Sequence, residues 1–214
     1  MQEKILVLAS TSRRRIELLR RTGVEFIVVK PLAVEEVRDD PRETVLGNAR
    51  RKALSVLEIV PPGSVVVAAD TIVYSPVLGI IGKPRTLVEA REILWALRGK
   101  WHSVYTGVFI IDKDTLRYKS FIEETRVKMR NYTREELDTY LASMEPMGKA
   151  GAYAIQGLGG FLVESIVGDY NNVVGLPITR LYVELRGFGI DLLRTAVKKR
   201  VLGEEAGASR SIPY

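Results

Sequence analysis

Residues 64–74, S-V-V-V-A-A-D-T-I-V-Y, decide the fold class of this chain. The run is almost continuously apolar, which is typical of a central strand that is covered on both faces. Asp70 and Thr71 are exceptions, because they place a carboxylate and a hydroxyl where the pattern predicts burial. An isolated buried carboxylate is costly, so we expect Asp70 to be paired, hydrogen-bonded or bound to a metal ion. A purely structural salt bridge or a turn acid is the competing interpretation.

Signals for strands and helices continue on both sides of this strand. The other predicted strands are 4–9, 25–29, 79–82, the hairpin 101–111 with 115–129, and 161–166. Helices are predicted after the capping residues Ser12, Asp40, Thr86 and Thr133, and again after Pro177. Residues 168–175 are predicted to form a loop. This order predicts an α/β fold with a mixed sheet, as a single domain over 1–202 with two lobes around a cleft, followed by a loose tail at 203–214.

Composition excludes several classes of site. The 214 residues contain no cysteine and one histidine, so disulfides, thiolate metal sites, a cysteine nucleophile and a His-rich metal site are excluded. No stretch reaches the roughly 18 uncharged apolar residues that span a bilayer, and a cytoplasmic location is the simplest expectation. The formal charge of +6 favours anionic partners without choosing among nucleotides, nucleic acids and acidic proteins.

The first candidate site is Ser10-Thr11-Ser12-Arg13-Arg14-Arg15, between a predicted strand and a predicted helix. The N-terminus of a helix presents unpaired N–H groups and the positive end of a dipole. Hydroxyls and guanidinium groups at that point can form a cradle for phosphate. The pattern is neither a Walker A loop nor a G-x-G-x-x-G fingerprint. An N-cap followed by exposed arginines remains the alternative.

The second candidate site combines Asp70 with the acidic pair Glu35-Glu36 and with lysines elsewhere in the chain. Two carboxylates can hold Mg²⁺ and activate water, while lysines neutralise the charge on phosphoryl oxygens. The candidate lysines are Lys52, Lys83 and Lys149.

The third candidate site is the glycine-rich segment 149–160, K-A-G-A-Y-A-I-Q-G-L-G-G. Glycines at this density allow positive φ angles and close approach of a ligand to the main chain. The amide of Gln156 donates and accepts side by side, so it could bind the Watson–Crick edge of a base. A glycine-rich hairpin with no ligand, and a Gln with only a structural role, are the competing interpretations.

These motifs resemble those of the Maf family of nucleoside triphosphate pyrophosphatases, in the family's order and over roughly residues 4–187. The opening S-x-S-P-R-R is matched by residues 10–15, A-D-T-I-V by 69–73, G-K-P by 82–84, K-A-G-A-Y-x-I-Q-G by 149–157, and N-V-V-G-L-P by 172–177. Arg13 replaces the family's proline. Gly148 stands where the acid of D-K-A-G usually lies, so the role of that acid is absent or filled by Glu145.

The resemblance implies an elongated Maf/inosine-triphosphatase fold, conversion of a nucleoside triphosphate and water to the monophosphate and pyrophosphate, and a divalent cation, Mg²⁺ or Mn²⁺. It implies Asp70 as general base and metal ligand, Glu36 as second metal ligand, and Lys83 in the catalytic set. The resemblance also implies that phosphates are bound by Lys52, Lys83 and Arg15. The matched substrate-binding positions include Ser10, Ser12 and Lys149.

Within the family, the residues at Arg14, Thr71 and Gln156 resemble the branch that acts on dTTP and UTP. A homodimer is also implied, whereas membrane and nucleic-acid partners are not expected. Two alternatives stay open. One is a purine-directed pyrophosphatase acting on inosine or xanthosine triphosphate, and the other is a non-enzymatic module that binds nucleic acid or takes part in cell division.

Overall fold

The computed structural model describes residues 4–207 and shows one mixed sheet with helices packed on it. The strands are β1 Ile5–Ala9, β2 Ile27–Val29, β3 Ser64–Ser75, β4 Gly79–Ile81, β5 Trp101–Asp112, β6 Tyr118–Met129 and β7 Val163–Val167. The helices are α1 Arg13–Arg21, α2 Pro41–Leu54, α3 Leu87–Leu97, α4 Arg134–Ala142, α5 Tyr170–Val174, α6 Ile178–Arg186 and α7 Leu192–Gly207. None of these helices is long and apolar enough to cross a bilayer.

The seven strands form one sheet in the order β2-β1-β3-β5-β6-β7, and β4 pairs with the end of β3. β1 is parallel to β2 and to β3. The remaining pairs along the sheet, β3 with β5, β5 with β6 and β6 with β7, are antiparallel. The predicted α/β fold with a mixed sheet is therefore confirmed. β3 lies inside this sheet, as its apolar sequence predicts. The division into two lobes stays a prediction.

Successive side chains of β3 point to opposite faces of the sheet. Val66 and Ala68 pack with Ala49 and Ala53 of α2 on one face. On the other face, Val65, Val67 and Ala69 pack with α1 and α6. A third cluster surrounds the far end of the long strands, where α3 and α4 pack. Asp70 continues the α2 face and Thr71 continues the opposite one, so adjacent residues of one strand serve two different polar networks.

Most helix starts use the capping residues that the sequence predicts. Ser12, Asp40 and Thr133 cap α1, α2 and α4 through their side chains, and α4 has a complete capping box. α3 differs. Thr86 accepts from the Glu89 N–H, but the Glu89 carboxylate accepts from the N–H of Arg85 rather than from that of Thr86.

Two C-terminal predictions differ from the structure. Residues 170–174 form a short helix, α5, where a loop is predicted, because Asp169 accepts from the Asn171 N–H and starts a helical turn. The helix α7 continues to Gly207, into the segment predicted as a loose tail. The rest of that predicted tail, residues 208–214, lies outside the described residues.

Candidate active site

Asp70 is buried and forms polar contacts with both of its oxygens. Oδ1 lies 2.6 Å from the Lys52 ammonium, and Oδ2 accepts from the Asn48 amide at 2.9 Å. Asn48 and Lys52 are one turn apart on α2, on the face that packs against β3. The expectation that Asp70 is paired and hydrogen-bonded is therefore confirmed.

The Lys52 ammonium joins a second carboxylate to this network. Its Nζ lies 2.6 Å from Glu35 Oε1 as well as 2.6 Å from Asp70 Oδ1. Burial alone would raise the pKa of Glu35. The hydrogen bond and charge of Lys52, with the charges of Lys83 and Arg15, outweigh that effect and hold the pKa below its ordinary value. Glu35 is therefore an anion beside Asp70 at neutral pH.

Glu36, the predicted second metal ligand, is placed differently from its neighbour. Its carboxylate pairs with Arg51 at 3.1 Å and is largely exposed, and its backbone joins Asn48 through two hydrogen bonds. Glu35, not Glu36, shares the lysine with Asp70. The sequence leaves this choice open, because which of two adjacent acids turns inward depends on how the loop docks against Asn48.

Thr71 belongs to a network on the opposite face of β3. Arg15 donates to the Thr71 hydroxyl at 2.9 Å and to the Gly175 carbonyl at 2.8 Å, and the Thr71 hydroxyl also contacts that of Thr106 at 2.8 Å. Arg15 was predicted to bind phosphate. Here two of its guanidinium nitrogens tie residues 10–15 to β3 and to the segment after α5.

Ser10 and Ser12 shape the turn between β1 and α1. The Ser10 hydroxyl accepts from the Ser12 N–H at 3.1 Å, and the Ser12 hydroxyl accepts from the Arg15 N–H at 3.5 Å. Ser10 is largely buried and Ser12 is more accessible, and both line the cleft that opens beside this turn. The two hydroxyls thus fix the turn and cap the N-terminus of α1 beside the cleft.

A cleft of about 420 Å³ lies between this turn and the loop that follows β2. Glu35 is the acidic residue on its wall, and its basic residues are Arg13, Arg14, Arg15, Lys30, Lys52, Lys83 and Lys149. A smaller cavity of about 110 Å³, lined by Asp70 and Thr71, adjoins it and shares Arg14, Arg15, Glu35 and Lys83. The structure therefore brings the first two predicted sites together in one strongly basic cleft.

Two contacts dock the glycine-rich segment against the sheet. Gly151, at φ 73°, donates its N–H to the Gly82 carbonyl at 3.2 Å, next to Lys83. The Tyr153 hydroxyl lies 2.8 Å from His102 Nε2, and both side chains are buried. Burial lowers the pKa of His102 to about 4, so its imidazole is neutral at pH 7.

Glu145 closes the other end of this segment. Its carboxylate accepts from the N–H groups of Leu158 and Gly159 and from the Tyr140 hydroxyl, at 2.8 to 3.0 Å. A Cβ atom on Gly157 would lie 2.1 Å from this carboxylate, so a side chain there would displace Glu145 from these hydrogen bonds. Glu145 thus holds a turn together and does not line the basic cleft described above.

Lys149 and Gln156 are carried by the same segment but lie in different places. Lys149 lines the basic cleft, whereas Gln156 is exposed on the wall of a neighbouring pocket of about 210 Å³. Arg14 lines both pockets. The third predicted site therefore adjoins the first two through Arg14.

Comparison with known proteins agrees with these motifs. Residues 5–188 match the family described as "Maf-like protein". The chain belongs to the Maf-like family. A dTTP/UTP pyrophosphatase of Staphylothermus marinus is 61% identical over 94% of this chain and 98% of that protein. The dTTP/UTP pyrophosphatase of Dictyoglomus thermophilum is 44% identical over 89% of this chain and all of that protein.

One solved structure is much less similar to this chain than these relatives are. The Ham1 protein of Staphylococcus aureus matches with a TM-score of 0.43 and 15% identity, over 60% of this chain and 73% of that one. A likeness at this level carries no argument about the site, so the fold of this Maf-like chain rests on the strand order given above.

Sequence reasoning missed Asn48, Glu35 as the inward acid, and the pair Thr106 and Asn172. Asn48 had a detectable signal, because it is a polar residue on the apolar face of α2, four residues before Lys52. Asn172 is fully buried, and its amide nitrogen donates to the Val104 carbonyl and the Thr125 hydroxyl. No local pattern predicts these contacts, since they join residues far apart in the chain.

Proposed function

We propose that this protein hydrolyses dTTP and UTP to the nucleoside monophosphate and pyrophosphate. The observation that carries the proposal is the buried Asp70, held with Lys52 and Glu35 at the wall of a basic cleft. The names of the Maf-like relatives, dTTP/UTP pyrophosphatases over nearly the whole chain, support the substrate class.

In the proposed reaction, a water oxygen attacks the α-phosphorus and the bond from that phosphorus to the α–β bridging oxygen breaks. Asp70 would accept the proton of the water as general base. The leaving pyrophosphate carries the bridging oxygen and its negative charge. Lys83, Lys149 and the N-terminal turn of α1 line the cleft where this charge would develop, and a fixed positive environment stabilises it there.

The residues present fit a divalent cation. Mg²⁺ is commonly held by one or two carboxylates together with substrate phosphates, and Asp70 and Glu35 already flank one cation, the Lys52 ammonium. Among residues 4–207 no group of three or more acidic or histidine side chains could hold a metal ion, so phosphate oxygens would complete its shell. The ion would supply charge neutralisation and activation of water. Glu36 enters this proposal only as a neighbour of Glu35.

Base selection is assigned to the pocket that contains Gln156 and Arg14. An amide can pair with a carbonyl and the adjacent imide N–H that dTTP and UTP both present, whereas CTP presents an acceptor nitrogen and an amino group. Gln156→Ala should therefore lower kcat/KM for dTTP and UTP more than for CTP, by roughly 5- to 150-fold in relative terms. An equal fall for all three nucleotides would limit Gln156 to supporting the segment.

The direct test is release of pyrophosphate by the purified protein with Mg²⁺ or Mn²⁺ and a panel of dTTP, UTP, CTP, inosine triphosphate and xanthosine triphosphate. We expect dTTP and UTP to lead. A preference for the purine nucleotides would favour the purine-directed alternative. Binding of nucleic acid without turnover of any nucleotide would favour the non-enzymatic one. A cytoplasmic location and a homodimer remain part of the proposal, and light scattering of the purified protein tests the dimer.

A further inference from the structure

The Lys52 ammonium occupies the position between two carboxylates where a metal ion would bind. It lies 2.6 Å from Asp70 and 2.6 Å from Glu35, and its side chain is buried. Each oxygen of Asp70 has a partner, because Asn48 donates to the other one at 2.9 Å. In this state the two carboxylates already share one cation that belongs to the protein, which offsets part of their negative charge.

The surroundings also oppose entry of a bare metal ion. Basic side chains outnumber the two carboxylates along the cleft, and a further positive charge meets their repulsion. A triphosphate reverses this balance. Its oxygens offer the Lys52 ammonium another set of acceptors, and its negative charge compensates for the cations around it.

We infer that Lys52 is a built-in competitor of the metal ion, which keeps the carboxylates closed to divalent cations until a nucleoside triphosphate draws its ammonium away. Metal and nucleotide then bind with strong positive coupling, and the free protein binds metal weakly. This inference rests on the proposed function only for the identity of the anion. It assigns Lys52 a positioning role that its expected phosphate contact alone does not include.

The test measures Mn²⁺ binding by electron paramagnetic resonance, without turnover. The samples are wild type, Lys52→Met, Lys52→Arg and the control Lys149→Met, each alone and with the α,β-imido analogue of dUTP. Lys149→Met removes one positive charge from the same cleft without opening the carboxylates, since the Lys149 ammonium contacts the Met147 carbonyl instead.

We expect the analogue to tighten Mn²⁺ binding to the wild type by on the order of 10-fold or more. Lys52→Met alone should bind Mn²⁺ more tightly than wild type by a similar factor, and the analogue should then add less. Lys52→Arg should stay weak, because the charge is kept. Equal Mn²⁺ affinity in free Lys52→Met and free Lys149→Met overturns the inference.

A second measurement uses the wild type, in case Lys52→Met does not fold. The ammonium ¹⁵N resonance of Lys52, identified by its loss in Lys52→Arg, should move when Mg²⁺ and the analogue bind together. An unchanged resonance in the complex contradicts the inference. Neither readout involves hydrolysis, so a protein that releases no pyrophosphate can still show the Lys52 effect, and an active enzyme can lack it.

Discussion

At the scale of single residues, Asp70 is the strongest candidate for loss of catalysis without loss of fold. Asp70→Asn keeps the shape of the side chain and its contact with α2, but removes the proton acceptor and the negative charge between Asn48 and Lys52. We expect kcat for dTTP to fall by at least about 100-fold, the lower end of what a positioned base contributes. Activity within a few-fold of wild type, with an unchanged melting temperature, would remove Asp70 from the chemistry.

His102 gives a second prediction, which concerns stability and pH. Burial holds the pKa of His102 in the folded protein at about 4, below its ordinary value of 6.5, so between these pH values the unfolded chain binds a proton and the folded protein does not. The stability that depends on a neutral His102 is complete above pH 6.5 and is lost as the pH falls towards 4. The difference in pKa corresponds to about 3 kcal/mol in the free energy of unfolding.

His102→Gln tests this prediction, because glutamine can still donate to Tyr153 but does not titrate. Denaturant unfolding at pH values of about 7.5 and 4.5 should show a smaller loss of stability on acidification in the variant than in wild type. Carboxylates titrate in both proteins. The test therefore compares how much the free energy of unfolding changes between the two pH values in wild type and in the variant. An identical loss of stability on acidification in the two proteins would mean that His102 accepts a proton in the folded state.

The sequence predicts chemistry at single residues better than it predicts their partners. Asp70 stands out because a carboxylate interrupts an apolar strand, whereas Lys52 is only one of three candidate lysines that could neutralise phosphate charge. The choice of Glu35 over Glu36, and the structural use of Arg15, could not be predicted, since both depend on contacts between segments distant in the chain. Residue type indicates what a side chain can do, and packing decides which groups it reaches.

At the scale of elements, the position of α2 depends on one glycine. Gly107 of β5 lies directly opposite Asp70 in the sheet, and a Cβ atom there would approach the Val45 carbonyl carbon to 2.5 Å and the Leu46 nitrogen to 2.7 Å. The backbone of α2 can rest on β5 only because this side chain is absent. The same contact brings Asn48 and Lys52, further along the helix, within reach of Asp70.

Gly107→Ala should therefore displace α2 and weaken the site as well as the fold. We expect a loss of about 1–3 kcal/mol in the free energy of unfolding, the usual range for overpacking, and a lower kcat in the fraction that folds. Gly47→Ala is the matched control on α2 itself. Its new Cβ would meet only ordinary contacts with Arg51, and alanine favours a helix. Equal stability of the two variants would mean that α2 does not rest on Gly107.

Element types were largely predictable, because periodicity and caps are local. The strands β1, β3, β5 and β6 and the starts of α1, α2, α3 and α4 follow the predicted pattern. The short α5 was missed, since glycines and asparagines around it are equally typical of a loop. Its Asp169 cap and the buried Asn172 hold it against β5 and β6, and these are tertiary contacts.

At the scale of the whole molecule, the net charge of +6 is accompanied by a cluster of basic side chains in one place. Basic side chains from α1, α2, the loop after β2, the segment after β4 and the glycine-rich segment converge on one cleft. A low-dielectric cleft lined by one sign of charge concentrates ligands of the opposite sign. Composition predicts an anionic partner, but only the fold shows that the charge is focused on a site of nucleotide size.

Lys30 tests this concentration of charge, because it is exposed on the wall of the cleft and has no assigned role in the chemistry. Lys30→Glu should raise KM for dTTP several-fold, whereas kcat should change little, since attraction to the cleft precedes the reaction. Raising the salt from about 50 to 500 mM shortens the screening length from roughly 14 to roughly 4 Å, so KM of wild type should rise as well. The matched control is Arg126→Glu, which makes the same charge change at an exposed residue beside Trp101, outside the cleft lining.

Steady-state kinetics at both salt concentrations should show a smaller salt effect in Lys30→Glu than in Arg126→Glu. If the two variants shift KM equally, the overall charge of the protein attracts the nucleotide, and the cleft does not focus it.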